Sequence, residues 1–179
     1  MCSAAEIVRI AEPEIDAELA ARLCAILREC FPDYPERSYF KLPPHFRFVA
    51  TVGGAVVAQV GVELRIIRVG DRVLRTFGVV DLCVTAEARS HGLAGRLLAA
   101  VLDHARACAV EFVVLFADDD RVYTRHGWSR KDNRVTWVKI HEHTTLGLTE
   151  RTDTEALIVR AVTDARWPDG DVDLLGHLY

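Results

Sequence analysis

The sequence predicts one mixed α/β (α+β) domain built on a central, mostly antiparallel sheet of about six to seven strands. Residues 46–84 carry three β-branched, partly alternating runs separated by glycine turns, as expected for antiparallel strands joined by hairpins. Residues 79–117 then follow the order strand, helix, strand, which favours one parallel β-α-β unit in the same sheet. With 179 residues, half of them hydrophobic, the chain has the length of one domain, and we expect a single domain over residues 1–179.

The segment before the three strands should supply a strand, a helix and a loop. Glu6–Ala11 alternates apolar and polar residues and predicts a strand. Apolar residues recur at helical spacing between Ile15 and Cys30, which predicts a helix. Residues 31–45 hold four prolines and two tyrosines, and this composition favours a packed loop.

The segment after the three strands should supply a long helix flanked by further strands. A helix is predicted from about Gly92 to Ala109, followed by a strand of the fully buried type at Glu111–Ala117. Residues 118–127 predict a short helical segment that ends at Gly127. Residues 135–143 and 154–162 then predict two more strands.

Composition excludes several classes of protein. The formal net charge of −4 argues against the basic surface of a nucleic-acid-binding protein. No apolar run reaches the roughly 18 residues that a membrane span needs, and the N-terminus lacks the pattern of a signal peptide. The five cysteines are an odd number without a C-x-x-C pair, which indicates free thiols rather than a disulfide framework or a metal site. We therefore expect a cytoplasmic protein that binds no metal, no nucleic acid and no membrane.

Residues Arg89–Gly95 form a short basic turn with two glycines between a predicted strand and a predicted helix. A helix N-terminus leaves backbone amides unpaired and carries partial positive charge, so it binds phosphate readily. Glycine lets the backbone approach a ligand closely, and Arg89 adds a fixed charge. The turn therefore predicts a pyrophosphate site, although a glycine-containing helix start without a ligand would explain the same residues.

The sequence of this turn and of the segments around it resembles that of the GCN5-related N-acetyltransferase (GNAT) superfamily. R-S-H-G-L-A at residues 89–94 fits the family pattern Gln/Arg-x-x-Gly-x-Gly/Ala, and Y-T-R-H-G-W at residues 123–128 fits Tyr-x-x-x-Gly-Phe/Trp. The resemblance is closest over residues 55–137, and the chain looks most like aminoglycoside 2'-N-acetyltransferases and nodulation N-acyltransferases. It implies the GNAT fold, acetyl-CoA (coenzyme A) as the cofactor, and N-acetyltransferase activity. Phe116 departs from the pattern, because relatives often carry an asparagine there.

The resemblance also implies which residues bind the cofactor. The backbone at the end of the predicted fourth strand would contact the pantetheine arm and polarise the thioester carbonyl, and the turn would hold the pyrophosphate. These cofactor-binding residues are Leu82, Cys83, Val84, Arg89, Ser90, His91, Gly92, Leu93, Ala94 and Gly95. A role for Cys83 as an acyl-carrying nucleophile is disfavoured, because apolar surroundings raise the pKa of a thiol and make it inert.

Two catalytic residues are predicted. Tyr123 is the candidate general acid for the departing thiolate, and proton transfer from a phenol (pKa about 10) to an alkyl thiolate (about 8.5) is mildly uphill. Packing beside Trp128 is the alternative role of this tyrosine. Asp81 is the candidate base because it is the only acid in the predicted fourth strand, with a solvated edge carboxylate as the alternative. Glu63 is the second choice of base, and two histidines are weaker ones.

The expected acceptor is the primary amine of a small molecule, with an aminosugar or aminoglycoside as the favoured class. Residues 163–179 form an acidic C-terminal segment that we place near the acceptor site, against the alternative of a solvated acidic tail. Cations are attracted to such a segment at modest range. Two other functions stay open at this point, namely N-acyl transfer from a longer acyl-CoA and a non-catalytic CoA-binding or sensing domain. Assembly as a homodimer is also left open.

Overall fold

The computed structural model describes residues 5–151 and 156–179, so the predictions that concern Cys2, Asp153 and Glu155 lie outside the described residues. The described part of the chain forms ten strands and three α-helices. The strands are β1 (Glu6–Ala11), β2 (Phe46–Val52), β3 (Ala55–Val69), β4 (Arg72–Val84), β5 (Phe112–Ala117), β6 (Ser129–Lys131), β7 (Val135–His141), β8 (Thr144–Arg151), β9 (Ala156–Ala161) and β10 (Val172–His177). The helices are α1 (Ala17–Cys30), α2 (Leu93–Ala107) and α3 (Arg121–Thr124).

The chain divides into two compact units. Among the described residues, the first comprises 5–63 and Val80–Val101, and the second comprises Leu64–Val79, 102–151 and 156–179. Strands β3 and β4 and helix α2 each contribute residues to both units.

In the first unit, strands β1, β2 and the first part of β3 pair antiparallel, with Glu6 opposite Thr51 and Phe46 opposite Val62. Helix α1 begins where the Asp16 carboxylate accepts the Leu19 amide at 2.8 Å, the usual way in which an aspartate caps a helix. Its apolar side, at Leu23, Ile26 and Leu27, is buried. The helical periodicity noted above therefore produces one face that packs on the core.

A buried charged side chain organises the polar interior of this unit. Arg47 on β2 is fully buried, and its guanidinium donates to Glu12 at 2.9 Å, to the Gln59 side-chain oxygen at 3.1 Å and to the Ser38 carbonyl at 2.6 Å. A buried charge is tolerated when each of its polar groups is satisfied in this way.

Replacing Arg47 with alanine should lower the free energy of unfolding by about 3–5 kcal/mol, because the carboxylate of Glu12 and the Gln59 amide lose their buried partner. Urea denaturation measures this change. The matched control is Arg68→Ala, which removes a half-exposed ion pair with Asp173 and should cost less than about 1 kcal/mol. Equal losses in the two variants would show that the buried network does not stabilise the fold.

In the second unit, β5 lies between β4 and β9. It pairs parallel with β4 over Thr76–Gly78 and antiparallel with β9, which in turn pairs with β6. Strand β10 pairs parallel with β7 and antiparallel with β3, and β7 forms a hairpin with β8. The core contains Ile67, Leu74, Phe112, Val135, Leu174 and their neighbours.

The predicted mixed fold, with a mostly antiparallel sheet and one parallel β-α-β unit, is confirmed. The described residues contain ten strands rather than six to seven, because β6, β8 and β10 carry too few alternating apolar residues to be recognised in isolation. Among the helices of the described residues, none is long and apolar enough to cross a bilayer. The four described cysteines are free thiols.

Candidate active site

The turn before α2 has the geometry of an anion cradle. Ser90 and Gly92 both have left-handed backbones, with φ of 67° and 72°. A Cβ atom added at Gly92 would meet no atom within 4 Å, so the backbone there faces open space. The first helical hydrogen bond runs from the Arg96 amide to the Gly92 carbonyl at 3.1 Å, so the preceding amides of the helix start have no acceptor within the helix.

Two side chains flank this cradle. The exposed Arg89 donates from Nε to the Val84 carbonyl at 3.1 Å, which anchors its guanidinium beside the end of β4. The Nδ1 atom of His91, also exposed, lies 2.8 Å from the Arg89 carbonyl. Amides at a helix start and an anchored cation are the donors that a diphosphate requires, so the residues present fit the pyrophosphate of coenzyme A.

The strand that leads into the cradle is irregular at Asp81. Its φ of 53° is left-handed, which is uncommon for a residue other than glycine and is often found at functional sites. The Gln59 side chain donates to the Asp81 carbonyl and holds the strand in this conformation. The described pairing of β4 with β5 ends earlier, at Gly78.

The three residues after Asp81 differ in how deeply they are buried and in which of their backbone groups are already hydrogen-bonded. Leu82 and Val84 are half-buried, whereas Cys83 is only 4% exposed. The Val84 carbonyl already accepts from Arg89 at 3.1 Å and from the Cys30 thiol at 3.4 Å. The Val84 carbonyl is therefore already engaged by two donors within the chain.

The Asp81 carboxyl group lies in an environment that favours its neutral form. Burial raises its pKa above the ordinary value, and the negative charge of the buried Glu63 adds to this effect. The Tyr34 hydroxyl, which donates to Oδ2 at 2.6 Å, and the Arg47 cation act in the opposite direction. A carboxylate with a raised pKa is a stronger base than an exposed one.

A pocket opens beside Asp81 that the sequence analysis did not identify. We call it the aromatic pocket; it has a volume of about 380 Å³ and is lined by Phe31, Pro32, Asp33, Tyr34, Phe40 and Asp81. Five of its six residues come from the loop after α1, which is rich in prolines and aromatic residues. That composition was the available signal, although it predicted only a packed loop.

Two cysteines of the first unit interact. A hydrogen bond with Cys83 lowers the pKa of the Cys30 thiol, and the same contact together with burial raises the pKa of Cys83. A buried thiol with a raised pKa is a poor nucleophile, so the surroundings of Cys83 are those of an inert core residue.

Tyr123 belongs to the second unit, where it lies on α3 at the end of a short turn. Its ring makes an edge contact with Trp128 at a centroid distance of 5.9 Å, and Trp128 is 3% exposed. Burial raises the pKa of the Tyr123 phenol, and the nearby Asp119 raises it further. The phenol is therefore fully protonated at neutral pH, as a proton donor must be. The predicted alternative, packing of Tyr123 beside Trp128, is therefore a contact that is present in the structure.

The comparisons with known proteins identify the family of the chain. The family model for the acetyltransferase (GNAT) domain matches residues 14–130. A GNAT family N-acetyltransferase (YhbS) from Escherichia coli in complex with CoA is 21% identical, with 97% of this chain and 92% of that chain covered and a TM-score of 0.65. A comparison with curated protein sequences gave no significant match.

Two further solved structures share the fold. A GNAT family acetyltransferase from Brucella melitensis in complex with acetyl-CoA is 16% identical, with coverages of 93% and 94% and a TM-score of 0.60. An acyl-CoA N-acyltransferase from Pseudomonas aeruginosa is 15% identical, with coverages of 88% and 100% and a TM-score of 0.61. Because the family model covers more than half of the chain, this protein belongs to the GNAT family of N-acetyltransferases, whose co-substrate is acetyl-CoA.

Proposed function

We propose that this chain transfers the acetyl group of acetyl-CoA to the primary amine of a small molecule by direct attack, without an acyl-enzyme intermediate. One observation carries the proposal: three features follow one another along the first unit. They are the Asp81 carboxyl group, whose pKa is raised, the end of β4, and the amide cradle at Gly92. The inert environment of Cys83 supports direct attack, because the thiol that stands in this strand is a poor nucleophile.

Residues of the chain would hold the cofactor in two places. The amides of Gly92, Leu93, Ala94 and Gly95, with Ser90, His91 and Arg89 around them, would bind the diphosphate. The backbone of residues 82–84 would pair with the pantetheine arm and donate to the thioester oxygen. When bound, acetyl-CoA would supply the activated acetyl group. The chain would position the cofactor and accept and donate the protons of the reaction.

The acceptor amine must lose a proton to become a nucleophile. Oδ2 of Asp81 accepts from Tyr34, so Oδ1 would accept the proton from the ammonium group. The amine nitrogen would then form a bond to the acetyl carbon as the carbon–sulfur bond breaks, and the sulfur would leave as a thiolate. The nitrogen would release its second proton to solvent water, which leaves the neutral amide. Tyr123 would donate its phenolic proton to that thiolate, and a raised phenol pKa makes this transfer more uphill than between unperturbed groups.

Replacing Tyr123 with phenylalanine should lower kcat by roughly 100-fold and leave the KM for acetyl-CoA nearly unchanged, because only the proton to the leaving group is lost. Mass-spectrometric detection of acetylated products from a panel of amines measures this change. The matched control is His126→Ala, an exposed residue of the same motif, which should retain full activity. A Tyr123→Phe enzyme with wild-type kcat would remove the tyrosine from the mechanism.

The finer prediction, an aminosugar or aminoglycoside as acceptor, rests on the resemblance to enzymes that acylate such amines and on the acidic residues 163–179. In that segment Asp171 pairs with Arg134, and Asp173 pairs with Arg68 at 3.2 Å, so part of its negative charge is compensated locally. The aminosugar therefore enters the amine panel as one acceptor class among others. A cytoplasmic location and a homodimer stay predictions from the sequence.

A further inference from the structure

The aromatic pocket beside Asp81 has a composition that selects among amines. The Tyr34 ring contacts the Phe31 and Phe40 rings, at centroid distances of 5.9 Å and 5.7 Å. Phe31 is 36% exposed and Phe40 is 50% exposed, so both rings present apolar surface at the opening. Exposed large aromatic side chains grouped around a cavity are characteristic of ligand sites.

The charged groups of the pocket lining are carboxylates. Asp81 is half-buried and accepts from Tyr34, and Asp33 is exposed at the rim. Carboxylates among aromatic rings attract a cation, because the ring faces are also electronegative. The Lys41 ammonium already lies 5.8 Å from the centroid of the Phe40 ring, so the cation of a ligand would meet Asp81 rather than that ring. A volume of about 380 Å³ lies at the lower end of the range for small-molecule sites.

We infer that the aromatic pocket is the acceptor site and that it takes a compact primary amine whose body is apolar, such as an aryl or cycloalkyl group, with its ammonium group at Asp81. This inference rests on the proposed function, since Asp81 is the base proposed there. The ammonium would meet the carboxylate, and the apolar body would lie against Phe31, Tyr34 and Phe40.

A polyhydroxylated body is a poor match for the same lining. Each sugar hydroxyl that enters an apolar pocket gives up hydrogen bonds with water, and it needs a protein partner in exchange. Phenylalanine and proline side chains provide no such partner, whereas they bury an aliphatic or aromatic ring favourably. The pocket therefore favours the apolar amine over the aminosugar.

The test uses the full chain with saturating acetyl-CoA and two amines that share a six-membered ring and a primary amino group, cyclohexylamine and glucosamine. The expected result is a kcat/KM for cyclohexylamine at least about 10-fold above that for glucosamine. Equal or reversed preference, with transfer observed, would overturn the pocket inference and leave the proposed function intact. Absence of transfer to any amine, with acetyl-CoA binding detected by calorimetry, would overturn both.

Variants of Phe31 and Phe40 test whether the aromatic pocket causes the preference for cyclohexylamine over glucosamine. Phe31→Ala and Phe40→Ala should each lower the ratio of kcat/KM for cyclohexylamine to kcat/KM for glucosamine by about 10-fold, with the KM for acetyl-CoA unchanged. The matched control is Leu42→Ala, an exposed apolar residue of the same loop outside the pocket lining, which should change neither. Equal losses for both amines in the phenylalanine variants would contradict the inference.

Discussion

Replacing Asp81 with asparagine should lower kcat/KM for the amine by roughly 100-fold or more, because the proposed base of the reaction is lost while its shape is kept. The effect should appear in kcat/KM for the amine and not in the affinity for acetyl-CoA. Steady-state kinetics with each substrate varied in turn, together with calorimetry of acetyl-CoA binding, measure the two quantities. Unchanged amine kinetics in Asp81→Asn would show that another group accepts the proton.

The pH dependence gives a second, independent readout of the same residue. Asp81 acts as a base only when it is deprotonated, so kcat/KM should rise with pH through a pKa that lies above the usual aspartate range. The Tyr34 hydroxyl stabilises the charged carboxylate, so Tyr34→Phe should raise that pKa further and move the rise to higher pH. In Asp81→Asn the rise should disappear. If the pH profile of kcat/KM did not move in Tyr34→Phe, the group that titrates would not be Asp81.

Local sequence signals were sufficient where a segment's structure depends on its own residues. The amphipathic spacing of Leu23, Ile26 and Leu27 predicts α1, and the run FVVLFA predicts β5, because each segment has one preferred way to bury its apolar side chains. The cradle could be predicted for the same reason, since glycine at the start of a helix determines backbone conformation directly.

Strands that depend on distant partners were missed. Strand β10 carries only two buried apolar side chains, Val172 and Leu174, within an acidic stretch, and it becomes a strand by pairing with β3 and β7. The β7–β8 hairpin turns at Glu142 and His143, which adopt φ of 42° and 62° without the glycine or asparagine that usually signals such a turn. Neither feature is visible in a window of neighbouring residues.

The chemical environment of the candidate base also could not be predicted from the sequence. Asp81 was identified as the only acid in its strand, but its left-handed backbone and its contacts depend on residues far away in the sequence. Tyr34 lies 47 positions before it and Gln59 lies 22 positions before it. The burial that raises the pKa of Asp81 and the aromatic pocket beside it both depend on residues that are distant in the sequence, and so they appear only in the folded chain.

Replacing Gly92 with aspartate should weaken acetyl-CoA binding by roughly 100-fold or more, because a carboxylate would then occupy the space where the diphosphate is proposed to bind and would repel it. The variant should fold, since aspartate is among the residues that best tolerate the left-handed conformation found here, and since a carboxylate at a helix start is favourable. Calorimetric titration with coenzyme A measures the affinity, and thermal unfolding without cofactor measures the stability.

Two controls separate charge from backbone strain. Gly92→Asn has the same shape without the charge and should lose clearly less affinity than Gly92→Asp, so the difference between the two reports on repulsion of an anion. Gly53→Asp adds the same carboxylate at another left-handed glycine that faces open space, in the β2–β3 turn, and should bind coenzyme A normally. If Gly92→Asp kept wild-type affinity, the amides before α2 would not hold the diphosphate, and the assignment of the cradle would fail. A larger loss in Gly92→Asp than in Gly92→Asn, with the stability of both variants kept, indicates that an anion binds at the start of α2.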